Sequence, residues 1–310
     1  MKEVDGFVGL QADRLPAVAT ASTGAVAMRE VDVFIDISAE EYHADKGIVG
    51  HSGLVRILRS PEHFKHYMTA PFKETDTLKF GTALHCAFLE PERFKDAYME
   101  VPKIDKRTKE GKLKAEEYEK AAKGKILLDT DDMHAVQAIL KKIGEHVKAT
   151  SLRIQSVTEK SYFWSDEDTG IMCRIRCDMV VVDENGQIVA IIDLKTTADA
   201  SKTAFRRSLD DYGYDLQAAF YTDAVKLAIG REVPFYFLTV ESGAPHSVAL
   251  YRMGQDSIEV GRRKYRMALQ LLEWCTKNDS WPGYQPQPFC EEEEIDLPEW
   301  SVKRALAQFA

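Results

Sequence analysis

Three short runs of alternating residues in the middle of the chain limit its possible folds more than any other feature. TEKSYFW (158–164), IMCRIRCDMVVV (171–182) and QIVAIIDLK (187–195) repeat at period two, and the turn sequences DEDTG and DENG separate them. Alternation sends successive side chains to opposite faces of an extended strand, and connections this short join only antiparallel neighbours. An antiparallel three-stranded meander is therefore expected at the centre of the fold.

Around the meander the period turns helical. Ser52 is placed to cap a short helix in SGLVRILRS, Ser60-Pro61 to open another in PEHFKHYM, and LKFGTALHCAFL predicts a third from about Leu78 to Leu89. A helix starting at Asp131 or Asp132 and running to about 149 would carry Met133, Val136, Ile139, Leu140 and Ile143 along one side. Further helices are expected over about 215–229 and 255–277, with strands near 233–240 and 246–252. This order predicts an α/β fold, a mixed central β-sheet flanked by helices, as one domain over residues 31–285. Residues 1–30, small and aperiodic, read as a flexible N-terminal arm, and 286–310 as an acidic C-terminal tail ending in a short stretch of helical character.

Composition removes some functions. With 41 Lys and Arg against 50 Asp and Glu, the net charge is -9, which excludes a generally basic nucleic-acid coat protein. It does not exclude an enzyme with an acidic metal site and local basic grooves. A hydrophobic content of 45% supplies a substantial core and excludes a chain that is disordered throughout. No apolar run reaches the roughly 18 residues needed to span a bilayer, so no membrane partner is expected. AVATASTGAVAM (17–28) follows Asp5 and Asp13 rather than a basic region, unlike a signal peptide. Five cysteines, odd in number and without CxxC spacing, fit packing thiols kept reduced in a cytoplasm.

Strand geometry gives the sharpest chemical clue. Val189, Ile191, Asp193 and Lys195 share one face of their strand, and in the preceding strand Arg174, Arg176, Asp178, Val180 and Val182 share another. Paired through the DENG turn, the two strands would bring Asp178 and Asp193 together. Two such carboxylates repel unless a cation lies between them or one stays protonated, and oxygen ligands favour Mg²⁺ or Mn²⁺ over zinc. Taken alone, an Asp-x-Lys at a strand end is most often a surface ion pair.

Its company changes that weighting. Gly81-Thr82-Ala83-Leu84-His85, then Asp178, then Asp193-Leu194-Lys195, then Gln217-Ala218-Ala219-Phe220-Tyr221 resembles the RecB-type branch of the PD-(D/E)xK nucleases, marked by GxxxH, D, (D/E)xK and QxxxY in this order. HSGLVRILRSPEHFK (51–65), GTALHCAFLEP (81–91) and the Lys-rich segment after PKID resemble more closely the RecE (exonuclease VIII) nuclease domain and its phage and prophage relatives, over roughly residues 35–285. The resemblance implies a PD-(D/E)xK nuclease fold, with His85, Asp178 and Asp193 as metal ligands and the Leu194 carbonyl as an additional one. It implies Lys195 as the catalytic lysine, orienting water and stabilising charge on the phosphate. Gln217 and Tyr221, one helical turn apart, match the pair that positions the lysine, the water or the DNA backbone. Glu159 is a candidate for a second metal site. Some relatives carry an iron–sulfur cluster held by one cysteine before GxxxH and three after QxxxY. This chain has no cysteine before Cys86 and only Cys275 and Cys290 after Tyr221, so no iron–sulfur cluster is expected.

Phosphate contacts need local positive charge whatever the total. Candidates are Arg56, Arg59, Lys65 and Lys73, the segment Lys103–Lys125, the strand residues Arg174 and Arg176, and Arg206-Arg207. Within the Lys-rich segment, Lys106 and Arg107 match a family position that faces DNA. The implied activity is a Mg²⁺-dependent exonuclease, with Mn²⁺ as substitute, acting on the ends of linear double-stranded DNA. It would resect the 5′-ended strand for recombination as a homo-oligomeric ring. The tail from Glu291 reads equally as a docking segment for a single-strand annealing protein or as an acidic flexible end with a frayed helix. A structure-specific or restriction-like endonuclease, or a non-catalytic DNA-binding recombination module with a vestigial site, stay open as alternatives.

Overall fold

The computed structural model describes residues 33–71, 75–105, 107–285 and 292–309. The arm expected over residues 1–30, Lys73, Lys106, Cys290 and the start of the tail fall outside the described residues. The chain runs through α1 (Ala39–Ala44), α2 (His51–Arg59), α3 (Pro61–Thr69), α4 (Asp76–Leu89), α5 (Pro91–Ala97), β1 (Tyr98–Val101), α6 (Lys109–Ala122), β2 (Ile126–Asp129), α7 (Thr130–Glu145) and α8 (Val147–Ile154). There follow β3 (Ser156–Ser165), β4 (Met172–Val182), β5 (Ile188–Thr197), α9 (Lys202–Asp211), α10 (Tyr214–Ile229), β6 (Phe235–Glu241), β7 (Val248–Arg252), α11 (Gln255–Asn278) and α12 (Glu299–Phe309).

The alternating runs form the meander they predict. β3, β4 and β5 pair antiparallel, then β6 joins β5 parallel and β7 closes the sheet antiparallel, giving the order β3-β4-β5-β6-β7. The parallel pair needs a long crossover, and α9 with α10 provides it. β1 and β2 make a separate parallel pair that no alternation announced. Thr108 caps α6, so the Lys-rich segment is helical in its middle, with Gly111, Ala115 and Ala122 its buried positions.

Capping chemistry sets most helix starts. Ser60 accepts from the His63 N–H and Pro61 fills the first turn of α3, as the sequence suggests. The expected cap at Ser52 is corrected: Gly50 caps α2 without a side-chain bond, and Ser52 lies inside the first turn. Thr75 and Asp129 cap α4 and α7.

Each face of the sheet is covered by its own core. One packs α2, α3, α10 and α11 against Cys173, Ile175, Cys177, Ile191 and Phe237, with Leu54, Ile57, Phe220 and Leu269 fully or almost fully buried. The other packs α4, α7 and α8 against Met179, Val181, Ile192 and Leu194. Burying one such Leu, Ile or Phe side chain contributes about 1.5–3 kcal/mol. The four described cysteines are free thiols and buried. No helix among the described residues is long and apolar enough to cross a membrane.

One contact fixes the depth of α10. A Cβ added at Gly261 of α11 would lie 2.0 Å from the Asp215 carbonyl oxygen, a backbone atom that no rotamer change can move. Gly261→Ala is expected to destabilise the fold by about 1–3 kcal/mol, as overpacking does. Gly144→Ala in α7, where an added Cβ meets nothing within 4 Å, should be neutral or slightly stabilising. Urea unfolding midpoints of the two variants check the contrast.

Candidate active site

The β4–β5 ladder starts at the Asp183–Gly186 turn and ends at Met179↔Ile192. Past that pair β4 keeps β3, β5 keeps β6, and the two strands part. The first residue beyond the fork on each strand is an acid, Asp178 on β4 and Asp193 on β5. Sheet topology therefore sets the carboxylates side by side in a gap between strands rather than across a paired rung.

The backbone departs from regularity here. Glu159 and Asp178 stand opposite each other as the one unpaired position in the β3–β4 register, and Glu159 has φ +56°. A positive φ at a non-glycine residue costs energy and gathers at functional sites. The face pattern also changes phase: Cys173, Ile175 and Cys177 belong to the α10-side core, Met179 and Val181 to the other, and Val180 to the first again. The uniform alternation expected from Arg174 through Val182 is thus corrected at Asp178, whose carboxylate turns to accept the Leu194 N–H at 2.8 Å.

His85 reaches the same place from α4. Its Nε2 lies 2.9 Å from the Leu194 carbonyl oxygen and its Nδ1 3.6 Å from Asp178 Oδ2. His85, Glu159 and Asp178 each offer a ligand atom, all within 4.8 Å of one another. One imidazole nitrogen, two carboxylates and a nearby carbonyl form a donor set suited to a hard divalent cation. The electrostatics agree with that fit. Burial, then the charge of Asp193, then that of Glu159 push the Asp178 carboxyl well above the usual range. Burial lowers the His85 pKa, leaving the imidazole neutral and able to ligate. Burial also raises Glu159, against the pull of its ion pair with Arg176.

Asp193 is 3% exposed and stands outside that 4.8 Å group. Lys195 Nζ lies 2.7 Å from its Oδ2, off the hydrogen-bonding direction, and Gln217 Nε2 donates to its Oδ1 at 2.5 Å. The first contact follows from period two on β5, the second from α10 packing on that face. Burial works to deprotonate Lys195, but Asp193, Tyr214 and Asp178 outweigh it, so the pKa stands above its usual value and the side chain is an ammonium. Its Nζ sits 4.5 Å from the centre of the Tyr214 ring.

Tyr214 and His51 are neighbours of the site that the motif series did not single out. Tyr214 opens α10 directly after Gly213, which has φ +65° and where an added Cβ would meet Val55 at 2.8 Å. That glycine between two tyrosines was the available signal. His51 Nε2 lies 3.0 Å from the Gly213 carbonyl oxygen, and burial, then the Lys195 charge, push its pKa down to about 4, so it stays neutral. Tyr221 is buried with its ring edge-on to Phe235 at 6.1 Å. Burial, then Tyr42 and Asp193, keep its hydroxyl well above the ordinary range.

The expected DNA contacts at the strand arginines are corrected. Arg174 is 7% exposed, donates to the Asp45 carbonyl at 2.8 Å and to that of Tyr42, and lies over the Tyr42 ring. Arg176 donates to Glu159 and to the Ile37 carbonyl at 2.8 Å. Both tie the segment around α1 to the sheet, so these guanidinium groups are engaged within the protein. Arg107 is exposed but held by Asp105 at 2.9 and 3.1 Å. Arg206 and Arg207 are exposed on α9.

Comparison with known proteins follows the geometry. Residues 50–295 match a family described as a PDDEXK-like domain of unknown function, DUF3799. A crystal structure from Eubacterium rectale, designated provisionally as an exonuclease, is similar in fold with a TM-score of 0.59 at 14% identity, covering 86% of this chain and 98% of its own. A phage related exonuclease from Haemophilus somnus 129PT aligns with a TM-score of 0.31 at 14% identity, over 75% of this chain and 96% of its own. No curated protein matches. With most of its length matched by that family and a five-stranded mixed sheet flanked by helices, the chain belongs to the PDDEXK-like family DUF3799 and has the PD-(D/E)xK nuclease fold.

Proposed function

We propose that this nuclease is a Mg²⁺-dependent exonuclease that degrades linear duplex DNA from its ends, removing the 5′-ended strand to leave a 3′ single strand for recombination. The observation that carries a metal-dependent phosphodiesterase is the cluster at the fork: His85, Glu159 and Asp178 within 4.8 Å, with Lys195 beside Asp193. His85, Glu159, Asp178 and the Leu194 carbonyl would hold the cation, and Asp193, the residue preceding Leu194, is proposed as its further carboxylate. A bound divalent ion supplies Lewis-acid polarisation of the scissile phosphate and lowers the pKa of an attacking water.

The chain's own residues do the rest. Lys195, held as an ammonium, orients the attacking water and offsets negative charge that develops on the phosphate oxygens. It does not serve as the base, because its raised pKa keeps the proton on nitrogen at neutral pH. Asp193 and Tyr214 fix the ammonium, and Gln217 fixes Asp193. Polarity of digestion and a homo-oligomeric ring rest on the resemblance to RecE-type nucleases. Docking of an annealing protein on the tail is supported by α12, which exposes Trp300, Leu306 and Phe309.

Lys195→Ala should reduce cleavage by at least about 10²-fold, as loss of one charge-stabilising donor does, while leaving duplex binding intact. The assay is digestion of linear duplex labelled separately at each 5′ and 3′ end, with and without Mg²⁺, beside a closed circle. Digestion that ignores Mg²⁺, or equal attack on the circle, would overturn the exonuclease reading.

Metal-free stability should carry the mark of the buried acids. Because Asp178 has a raised pKa in the folded state, the native protein binds more protons than the unfolded chain above the ordinary aspartate range. Stability is therefore lost as pH rises from that range toward the folded pKa. Asp178→Asn is expected to raise the melting temperature in EDTA at pH 8, and to remove most of the further rise that Mn²⁺ gives the parent protein. Thermal melts of both proteins with EDTA and with Mn²⁺ check this.

A further inference from the structure

We propose that α2, α3 and the segment after α11 form a platform for single-stranded DNA that leads away from the fork. The proposal rests on the nuclease reading and assigns it a strand-binding surface. His51, the first residue of α2, contacts Gly213 beside Tyr214 and Lys195, so α2 starts at the site. From there its nine residues span about 13 Å at 1.5 Å per residue.

Two exposed arginine–tyrosine units lie along this path. The Arg56 guanidinium stands 4.3 Å from the centre of the Tyr67 ring. Arg59, one turn further on, donates from Nε to the Tyr284 hydroxyl at 3.0 Å. Tyr67 is 37% exposed and Tyr284 67%. Among the described residues no carboxylate pairs with either arginine. Lys65 adds a third cation, 4.7 Å from the Trp281 ring centre, and Asp279, its closest acid at 3.8 Å, is exposed and screened. Glu62 on α3 lies beside Gly283 as a further acid of this surface.

The chemistry selects the ligand. Trp281 shows what a structural clamp looks like: its ring is stacked on Phe64 at 5.8 Å and covered by Lys65. Tyr67, with Arg56 over its ring, and Tyr284, tilted against the His63 ring at 5.4 Å, are not stacked between two partners in this way and leave ring surface in solvent beside an arginine that no carboxylate pairs. Phosphates pair with guanidinium groups, and bases stack on open aromatic rings only when they are unpaired. A path of 13 Å accommodates about four stacked nucleotides at 3.4 Å each.

The test uses the full chain carrying Lys195→Ala, in EDTA, with fluorescein-labelled oligothymidines of 2, 4, 8 and 20 nucleotides and a blunt 20-base-pair duplex. Anisotropy titrations should show single-strand affinity rising with length up to about the fourth to eighth nucleotide. Adding Arg59→Ala with Tyr284→Ala should weaken binding of the 20-mer about 10-fold and remove that rise, within the range of one lost stacking contact. Adding Arg56→Ala with Arg59→Ala should lower the salt slope by more than one. Tyr284→Phe, which keeps the ring, should retain affinity and so excludes misfolding as the cause. Unchanged single-strand affinity in the Ala variants, or an equal loss for duplex, overturns the platform. The nuclease reading is judged separately: if the parent chain shows no Lys195-dependent cleavage, that reading fails whatever the platform binds.

Discussion

Everything at the fork follows from repulsion among carboxylates that burial has stripped of water. Asp178, Asp193 and Glu159 converge where the sheet has no rung, and burial together with the charges of Asp193 and Glu159 makes ionisation of Asp178 harder. Only part of that cost is offset inside the protein. Lys195 and Gln217 take Asp193, and Arg176 takes Glu159. Asp178 receives a single backbone N–H. A site left this unbalanced favours whatever positive charge can enter it, and the neutral His85 offers a donor atom there without adding a competing cation.

The arrangement also assigns unequal roles to residues that look alike in sequence. Lys195 and Arg176 are both cations on the strands of the meander, yet Lys195 is held beside Asp193 at the fork while Arg176 is spent holding Glu159 and the Ile37 carbonyl. Glu159 and Asp178 are both acids on paired strands, yet one adopts a strained backbone and the other does not. Position relative to the fork decides which group can meet a substrate.

Much of this was legible in the residues. Period-two runs located the meander because each strand buries one face or both, and the GxxxH, Asp, Asp-x-Lys and QxxxY positions reached one neighbourhood because α4 and α10 pack against the sheet where β4 and β5 part. What escaped was long-range or local in ways that pattern does not encode. The phase change at Asp178 depends on the backbone of Glu159, across the sheet. Arg174 and Arg176 looked like phosphate ligands because their partners, carbonyls at residues 37–45, are backbone groups that any side chain would present. β1 and β2 are too short, at four residues each, to show alternation. α9, KTAFRRSLDD, buries only Phe205 and so has almost no apolar period to read.

The close approach at Gly261 has a mechanical meaning. α11 presses on α10 at Asp215, two residues before the glutamine that steadies Asp193, and Arg262 and Tyr265 clamp the same helix through Asp223 at 2.7 Å. The far end of α11 leads directly into Trp281 and Tyr284. The long helix is thus a strut with the acids at one end and the aromatic surface at the other. A shift of α11 along its axis would have to move Asp215 and Asp223, and with them the helix that carries Gln217 to Asp193.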